Sequence, residues 1–146
     1  MSAVRELRET AGISQQELAE RSGVAQPNIA AYETGRRTPS PAMLERLRIA
    51  CRPLPHDALD AHRADLITLA EGHGLRNLRV FGSVVRRTDT PDSDLDVLVT
   101  APPGVGLLTL AAFAREAGEL LGVEVDVVTD GGLGPDNEIL TTAIAV

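Results

Sequence analysis

Apolar residues in the first third of the chain recur at helical spacing, and short polar turns interrupt them. Val4 and Leu7 share the inner face of a first helix, and Ser14 with Glu17 forms a capping box that starts a second. The residues that begin or end the helices of this region are Gly12, Ser14, Gly23, Gly35 and Ser40. The pattern predicts an all-α bundle of four short helices over residues 1–52.

Two prolines then change the pattern. Pro53 and Pro55 end the helical region and stiffen a linker over residues 53–55. Beyond this linker, helical spacing alternates with strand-like alternation of apolar and polar residues. The predicted elements are helices over 56–72, 107–121 and 137–146 and strands over 75–81, 94–100 and 123–128. We therefore expect a second domain, of the α+β class, over residues 56–146.

Charge separates the two halves of the chain. The 146 residues have a net charge of −7, but residues 1–55 carry eight arginines against six glutamates, and residues 56–146 carry six arginines against fifteen acids. Such asymmetry indicates two modules with different partners. Cys51 is the sole cysteine, which excludes an intramolecular disulfide. Because neither a signal-peptide pattern nor a long apolar run is present, we expect a cytoplasmic protein without a membrane partner.

The candidate chemistry of the second domain begins at a Gly-Ser pair. Gly82 and Ser83 follow a predicted strand, and ten residues later Asp94 and Asp96 open the next strand. Because side chains alternate along a strand, the two aspartates share one face, and their like charges favour a bound cation such as Mg²⁺. Gly82 lets a phosphate approach backbone N–H groups. The pattern indicates nucleotide chemistry, although Asp-Leu-Asp alone is also typical of a solvated strand end.

Asp126 supplies a third carboxylate if its strand lies beside the strand of Asp96. Alternation places Glu124 and Asp126 on one face of their strand and the valines on the other. Three carboxylates on neighbouring strands can hold one or two metal ions that activate an attacking oxygen and stabilise a leaving pyrophosphate. We interpret Glu124 as a solvent-facing charge.

Two consecutive arginines follow the Gly-Ser turn and allow two interpretations. Arg86 and Arg87 can bind a triphosphate, or they can pair with Asp89 and Asp92 at the surface. The residues themselves do not decide between these interpretations.

Three spaced motifs in the first domain resemble the Xre/Cro family of DNA-binding domains: SQQELA at 14–19, GVAQPNI at 23–29 and YETGRRTP at 32–39. The resemblance covers residues 3–52 and implies a helix-turn-helix unit whose helix from Gln26 enters the major groove. It implies that Gln26 and Asn28 reach base edges, where their amides match adenine. Gln15, Arg36 and Arg37 would then lie near phosphates. Because the domain is only weakly basic, we expect a homodimer on a two-part operator; a bundle used only for docking is the alternative.

The Gly-Ser turn, the ten-residue gap and Asp94-Leu95-Asp96 together resemble the minimal nucleotidyltransferase family of the DNA polymerase β superfamily. The resemblance covers residues 56–146 and implies a small mixed sheet flanked by helices. It also implies roles for individual residues: Gly82 and Ser83 in binding the nucleotide, and Asp94, Asp96 and Asp126 in catalysis and in binding Mg²⁺, with Asp126 nearest the attacking hydroxyl. Arg86 is a further candidate for binding the nucleotide. One departure is that many members have Arg-Gly where this chain has Arg86-Arg87.

Small members of that family resemble antitoxins of toxin–antitoxin pairs whose toxins are HEPN-domain RNases. The resemblance implies transfer of AMP from ATP, or of another nucleotide from its triphosphate, onto a toxin side chain, commonly a tyrosine hydroxyl. The first domain fits an antitoxin that also represses its own operon. The alternatives are a catalytically silent antitoxin that neutralises its partner by contact, and a transferase that acts on a small molecule or tRNA. The second domain has few residues left to form the deep pocket that a small-molecule acceptor needs.

Overall fold

The computed structural model describes residues 2–146, which form two compact units. One unit runs to Pro53 and takes in Thr90–Asp92; the other comprises Leu54–Asp89 and Ser93–Val146. Each unit buries its own cluster of aliphatic residues. Within the described residues, no helix combines the length and the apolarity that crossing a bilayer requires.

The first unit contains the four predicted helices. They are α1 (Ala3–Ala11), α2 (Gln15–Ser22), α3 (Gln26–Thr34) and α4 (Pro41–Ala50). Ser14 Oγ accepts a hydrogen bond from Glu17 N at 3.0 Å, so half of the predicted capping box forms. The Glu17 carboxylate binds Arg21 Nη2 at 2.9 Å instead of reaching back to Ser14, because an i,i+4 arginine competes for it.

A buried ion pair joins the first and third helices. Arg8 Nη2 donates to Glu33 Oε1 at 2.8 Å, and Arg8 Nη1 donates to the Ile13 carbonyl at 2.9 Å. The exposed fractions of the two side chains are 16% for Arg8 and 4% for Glu33. The hydrogen bond that Arg8 donates to Glu33, together with the negative charge of Glu33, raises the pKa of Arg8 against the effect of burial. Glu33 therefore fixes the position of α3 relative to α1.

The second unit alternates helices and strands. Its elements are α5 (Pro55–Gly72), β1 (Arg76–Phe81), α6 (Ser83–Arg86), β2 (Leu95–Thr100), α7 (Leu107–Leu121), β3 (Val125–Thr129), a 3₁₀ turn (Asp130–Gly132), α8 (Glu138–Thr142) and β4 (Ile144–Ala145). Helix α5 starts within the predicted linker, because a proline ring suits the first helical turn. The bounds of α7 match the prediction.

The four strands form one mixed sheet in the order β3-β2-β1-β4. Strand β1 is antiparallel to β2 and to β4, and β2 is parallel to β3. The side chains of Leu95, Val97 and Val99 are fully buried in the core, together with Phe113 from α7 and Leu66 from α5. The predicted α+β fold with a small mixed sheet flanked by helices is confirmed.

The predicted helix over residues 137–146 is wrong in its second half. Helix α8 ends at Thr142, and Ala143 adopts an extended backbone (φ −64°, ψ 141°) that leads into β4. Strand β4 pairs with β1, and Val146 N donates to the Leu78 carbonyl at 3.1 Å. The edge of β1 needs hydrogen-bond partners, and satisfying it outweighs the helical preference of the last residues.

A distant carboxylate caps α5. Leu54 precedes the helix and has no side-chain cap of its own, but Asp89 Oδ2 accepts a hydrogen bond from His56 N at 2.9 Å and contacts His56 Nδ1 at 2.8 Å. The Asp89 side chain is 1% exposed. Asp89 thus supplies from a loop the acceptor that an N-cap residue normally gives.

Replacing Asp89 with Asn is expected to lower the free energy of unfolding by about 1 kcal/mol at pH 7. Burial alone would raise the pKa of Asp89, but the hydrogen bonds and charge of His56 outweigh it and lower the pKa. A carboxylate with a lowered folded-state pKa contributes stability above its unfolded pKa of about 3.9 and loses that contribution as the pH falls through the folded pKa.

The difference between the wild type and Asp89→Asn should therefore shrink as the pH falls below about 4. Urea unfolding followed by circular dichroism at neutral and acidic pH measures this difference. Asp92→Asn, an exposed substitution in the same loop, is the control and should have little effect. A difference that does not change with pH would contradict the capping role.

Candidate functional site

Three aspartates lie close together at the start of β2 and in β3. Asp96 and Asp126 are paired in register across the parallel strands, so their side chains point to the same face of the sheet. Asp94 directly precedes β2 and interacts electrostatically with both. The strand of Asp126 therefore lies directly beside the strand of Asp96, as the predicted third carboxylate requires.

The electrostatics of this cluster are unfavourable without a cation. Burial raises the pKa of Asp94, and the charges of Asp126 and Glu124 raise it further. Burial likewise raises the pKa of Asp96, followed by the charges of Asp126 and Asp94, while Arg86 acts to lower it. Several carboxylates held together at the cost of mutual repulsion are typical of a site that binds a positively charged ligand.

Gly82 brings the Gly-Ser turn against Asp96. Gly82 has φ 77° and ψ −145°, a conformation open essentially only to glycine. A Cβ atom there would collide with Asp96 Oδ2 and lie 3.3 Å from Asp96 Cγ. Ser83 begins α6 immediately afterwards. The Gly82 backbone therefore lies directly against the Asp96 carboxylate, which places the Gly-Ser turn beside the acidic cluster.

The two arginines after the turn differ in environment. Arg86 lies within the electrostatic reach of Asp96. Neither arginine pairs with Asp89, whose carboxylate is taken by His56, so that part of the surface-pairing interpretation is wrong. Arg87 adopts the left-handed conformation (φ 56°, ψ 35°) at the end of α6, a conformation that glycine adopts more readily. Among the described residues, the Arg87 side chain has no hydrogen-bond or ion-pair partner.

Replacing Arg87 with Gly is expected to raise the free energy of unfolding by about 0.5 kcal/mol. A non-glycine residue in the left-handed region costs about 1–2 kcal/mol, and the greater flexibility of glycine in the unfolded chain offsets part of the gain. Urea unfolding measures the change. Arg87→Ala retains the strained backbone and should give no gain; an equal gain from alanine would show that the side-chain charge, not the backbone, is the cause.

A divalent metal is the ligand that this donor set fits in chemical terms. Within residues 2–146, no three acidic, histidine or cysteine side chains surround a common point as a closed metal site does. Mg²⁺ in nucleotide sites takes only one or two protein carboxylates and completes its shell with water and substrate phosphates. Asp94, Asp96 and Asp126 offer hard oxygen ligands on one face and fit that incomplete kind of site.

The predicted DNA-contacting residues of the first unit are brought together in pairs. Gln26 Nε2 donates to Gln15 Oε1 at 2.8 Å, which joins the first residues of α3 and α2. Arg37 Nη1 donates to Asn28 Oδ1 at 3.0 Å. Arg36 and Arg37 are exposed in the turn after α3. These contacts place polar amides and arginines along one helix and its flanks, an arrangement suited to bases and phosphates.

Glu124 and Asp130 make contacts that the sequence does not predict. Glu124, interpreted as a solvent-facing charge, is exposed but interacts with Asp94, and its backbone carbonyl accepts from Leu95 N at 2.8 Å. The Oδ2 atom of Asp130 accepts hydrogen bonds from Arg79 Nη2 at 2.7 Å and from Thr100 Oγ1 at 2.6 Å. The contact of Glu124 with Asp94 agrees with the alternation that places Glu124 on the same face as Asp126, whereas no local pattern marks Asp130.

Two domain families match this chain in succession. The helix-turn-helix family matches residues 4–59, and the family described as nucleotidyltransferase domain matches residues 60–142.

Individual relatives match the second of these regions. A protein of Methanocaldococcus jannaschii described as a protein adenylyltransferase is 36% identical over 83 residues, which make up 56% of this chain and 89% of that protein. Protein adenylyltransferase MntA of Thermococcus cleftensis is 37% identical over 75 residues, covering 51% of this chain and 73% of MntA. A solved structure described as a minimal nucleotidyltransferase is 40% identical, with a TM-score of 0.57, and covers 62% of this chain and 95% of its own.

Proposed function

Because the chain belongs to the nucleotidyltransferase domain family and joins that domain to a helix-turn-helix domain, we propose that it transfers a nucleotide, AMP from ATP, to a side chain of a partner protein. The observation that carries this proposal is the pairing of Asp96 with Asp126, with the Asp96 carboxylate packed against the Gly-Ser turn at Gly82. The protein adenylyltransferase names of the two relatives support a protein acceptor and ATP as the donor.

Each residue of the site has its own role in the proposed reaction. Backbone N–H groups at Gly82 and the Ser83 hydroxyl hold the triphosphate, and Arg86 neutralises part of its charge. Asp94, Asp96 and Asp126 would hold one or two Mg²⁺ ions, which supply positive charge to the attacking oxygen and to the leaving pyrophosphate. Asp126 is the most exposed of the three and takes the proton of the acceptor hydroxyl.

The transfer is a single in-line displacement. The acceptor oxygen forms a bond to the α-phosphorus, the bond between that phosphorus and the α–β bridging oxygen breaks, and pyrophosphate leaves. The hydroxyl proton passes to the Asp126 carboxylate. The products are the nucleotidylated acceptor and pyrophosphate, and the protein itself is not covalently changed.

The helix-turn-helix domain gives the proposed enzyme a second role as a DNA-binding repressor. Gln26 and Asn28 contact bases, and Gln15, Arg36 and Arg37 contact phosphates of an operator. A transferase and a repressor on one chain fit an antitoxin that modifies a toxin, such as a HEPN-domain RNase, and represses its own operon as a homodimer.

The test is to incubate the purified chain with the product of the neighbouring gene, Mg²⁺ and each nucleoside triphosphate in turn, and to measure the intact mass of the partner. The proposal predicts a gain of one or more nucleoside monophosphates, largest with ATP. Omission of Mg²⁺ is the control and should abolish the gain. An unmodified partner with every triphosphate, in a mixture where the two proteins form a complex, would overturn the transferase proposal.

A contact-only antitoxin is the second candidate. On this alternative the second unit binds the toxin without modifying it. Growth rescue in cells that express the toxin separates the two candidates: Asp94→Ala with Asp96→Ala should abolish rescue by a transferase and leave rescue by contact intact.

A further inference from the structure

The strand that carries Asp126 lies at an edge of the sheet. Strand β3 comes first in the order β3-β2-β1-β4, so β2 pairs with one of its edges and no strand of residues 2–146 pairs with the other. Successive residues of a strand direct their backbone N–H and C=O groups to opposite edges. The Glu124 carbonyl accepts from Leu95 N at 2.8 Å and so faces β2. By this alternation, the backbone groups of Val125 and Val127, on either side of Asp126, face outward.

The outer edge of β3 is regular and has unused hydrogen-bonding groups. Within the described chain, no residue hydrogen-bonds to the outward N–H or C=O groups of Val125 and Val127. The side chains of these two valines pack against the core of the unit, which holds the strand in place. Strand β3 contains no proline, and its register with β2 runs without a bulge. Prolines and bulges are two devices by which proteins block an exposed edge, and a valine-rich edge without them readily accepts a further strand.

A strand added at this edge would bring one of its side chains beside Asp126. Residues directly opposite each other in an antiparallel pair have Cβ atoms about 4.5–5.5 Å apart and project to the same face. Asp126 is in register with Asp96 and shares its face of the sheet. The residue opposite Asp126 therefore projects over the acidic cluster, and a hydroxyl on it comes within reach of the carboxylate assigned as the proton acceptor.

The residues two positions from Asp126 share its face and determine which side chains fit beside the hydroxyl. Glu124 is exposed and its negative charge repels that of Asp94, so a lysine or arginine opposite Glu124 is favoured. Val128 is half buried and favours an apolar residue opposite it. Because an antiparallel strand runs in reverse, the apolar residue precedes the hydroxyl-bearing residue by two positions, and the basic residue follows it by two.

We propose that the free edge of β3 binds the acceptor segment of the partner protein as an added antiparallel strand, with the hydroxyl-bearing residue opposite Asp126. This binding mode rests on the proposed transfer to a partner protein and specifies how the acceptor is presented. Main-chain hydrogen bonds to Val125 and Val127 supply affinity. The side chains opposite Glu124 and Val128 supply specificity. A segment whose backbone groups are already paired in a helix or sheet has none to offer, so the acceptor lies in an extended tail or loop of the partner.

Amide hydrogen exchange resolved by residue tests this binding mode directly. The intact chain is mixed with the product of the neighbouring gene, Mg²⁺ and α,β-methylene ATP, an analogue that blocks transfer and keeps the acceptor in place. In the free chain, the amides of Asp126 and Val128 are bonded to β2 and should exchange slowly, and those of Val125 and Val127 should exchange quickly. In the mixture, exchange at Val125 and Val127 should slow about tenfold or more. Unchanged exchange at both valines would overturn the edge binding.

A proline substitution tests the backbone contact separately. Val127→Pro removes the outward N–H and leaves the ladder with β2 intact, because proline is tolerated where the N–H of an edge strand faces solvent. Val127→Ala keeps that N–H and loses the packing of the valine side chain, so it is the matched control. The kcat/KM for transfer to the partner should be about tenfold lower in the proline variant than in the alanine variant.

Thermal unfolding of both variants completes this comparison. Equal kcat/KM values in variants with equal unfolding midpoints would contradict the proposal. If proline lowers the midpoint further than alanine does, hydrogen exchange in the wild-type chain decides.

The sequence around the modified residue gives a third test. Tandem mass spectrometry of the modified partner locates the nucleotidylated side chain. An apolar residue two positions before it and a lysine or arginine two positions after it are expected. An acidic residue two positions after it would overturn the pairing with Glu124.

Edge binding and nucleotide transfer can fail separately. Protection of Val125 and Val127 without a gain in the mass of the partner would keep the edge binding and overturn the transferase. A mass gain with ATP, together with unprotected valines, would keep the transferase and overturn the edge binding.

Discussion

Replacing Asp96 with Asn is expected to lower the rate of nucleotide transfer about a thousandfold, because the variant loses a charged carboxylate that we propose as a metal ligand and that also lies beside Asp126 and the Gly82 turn. The same substitution is expected to stabilise the free protein. Burial and neighbouring acids raise the pKa of Asp96, so its charged form costs stability at neutral pH, and the neutral amide removes that cost.

Two measurements check these opposite effects. Single-turnover transfer to the partner gives the rate, and thermal unfolding without nucleotide gives the stability. Asp136→Asn, an exposed aspartate outside the site, is the control for both. Addition of Mg²⁺ should raise the midpoint of wild-type unfolding more than that of Asp96→Asn. A variant that is inactive and also less stable than the wild type would indicate a folding defect instead of a lost ligand.

Replacing Glu33 with Ala is expected to lower the free energy of unfolding of the helix-turn-helix unit by about 3 kcal/mol. The change removes a 4% exposed carboxylate and leaves the Arg8 guanidinium, 16% exposed, without its charged partner. Glu9→Ala breaks the exposed ion pair of Arg5 and Glu9 and is expected to cost less than about 1 kcal/mol.

The chain offers a direct optical probe for this comparison. Tyr32 is its sole tyrosine, it is buried in the helix-turn-helix core, and the chain has no tryptophan. Tyrosine fluorescence during urea unfolding therefore reports on this unit. If Glu33→Ala and Glu9→Ala shifted the midpoint equally, the buried pair would have no special part in stability.

Local signals in the sequence predicted most of the fold. The glycines after the first three helices adopt the left-handed conformation that ends a helix. Apolar residues repeat at helical spacing over the whole length of α7, and this repeat predicts where the helix begins and ends. The resemblance to both families is confirmed by the domain matches. These features depend on neighbouring residues or on spaced motifs, which a single sequence displays.

Long-range contacts were the part that the sequence could not predict. Strand β4 forms because the edge of β1 offers backbone hydrogen-bond groups that need partners. The capping of α5 depends on Asp89, which lies 33 positions after His56. The left-handed backbone of Arg87 has no residue signature, because arginine rarely adopts it. The roles of the site residues remain predictions, although the sheet register brings the three acids together as the alternation pattern required.

The parallel pairing of β2 with β3 makes the length of one short connection critical. Strand side chains alternate, so one extra residue between Gly122 and Val125 would slip the register and turn Asp126 toward the aliphatic core. The loop before α7, over residues 101–106, carries no such constraint, because the helix separates it from β3. Insertions and deletions among related chains should therefore accumulate before α7 and be absent after it.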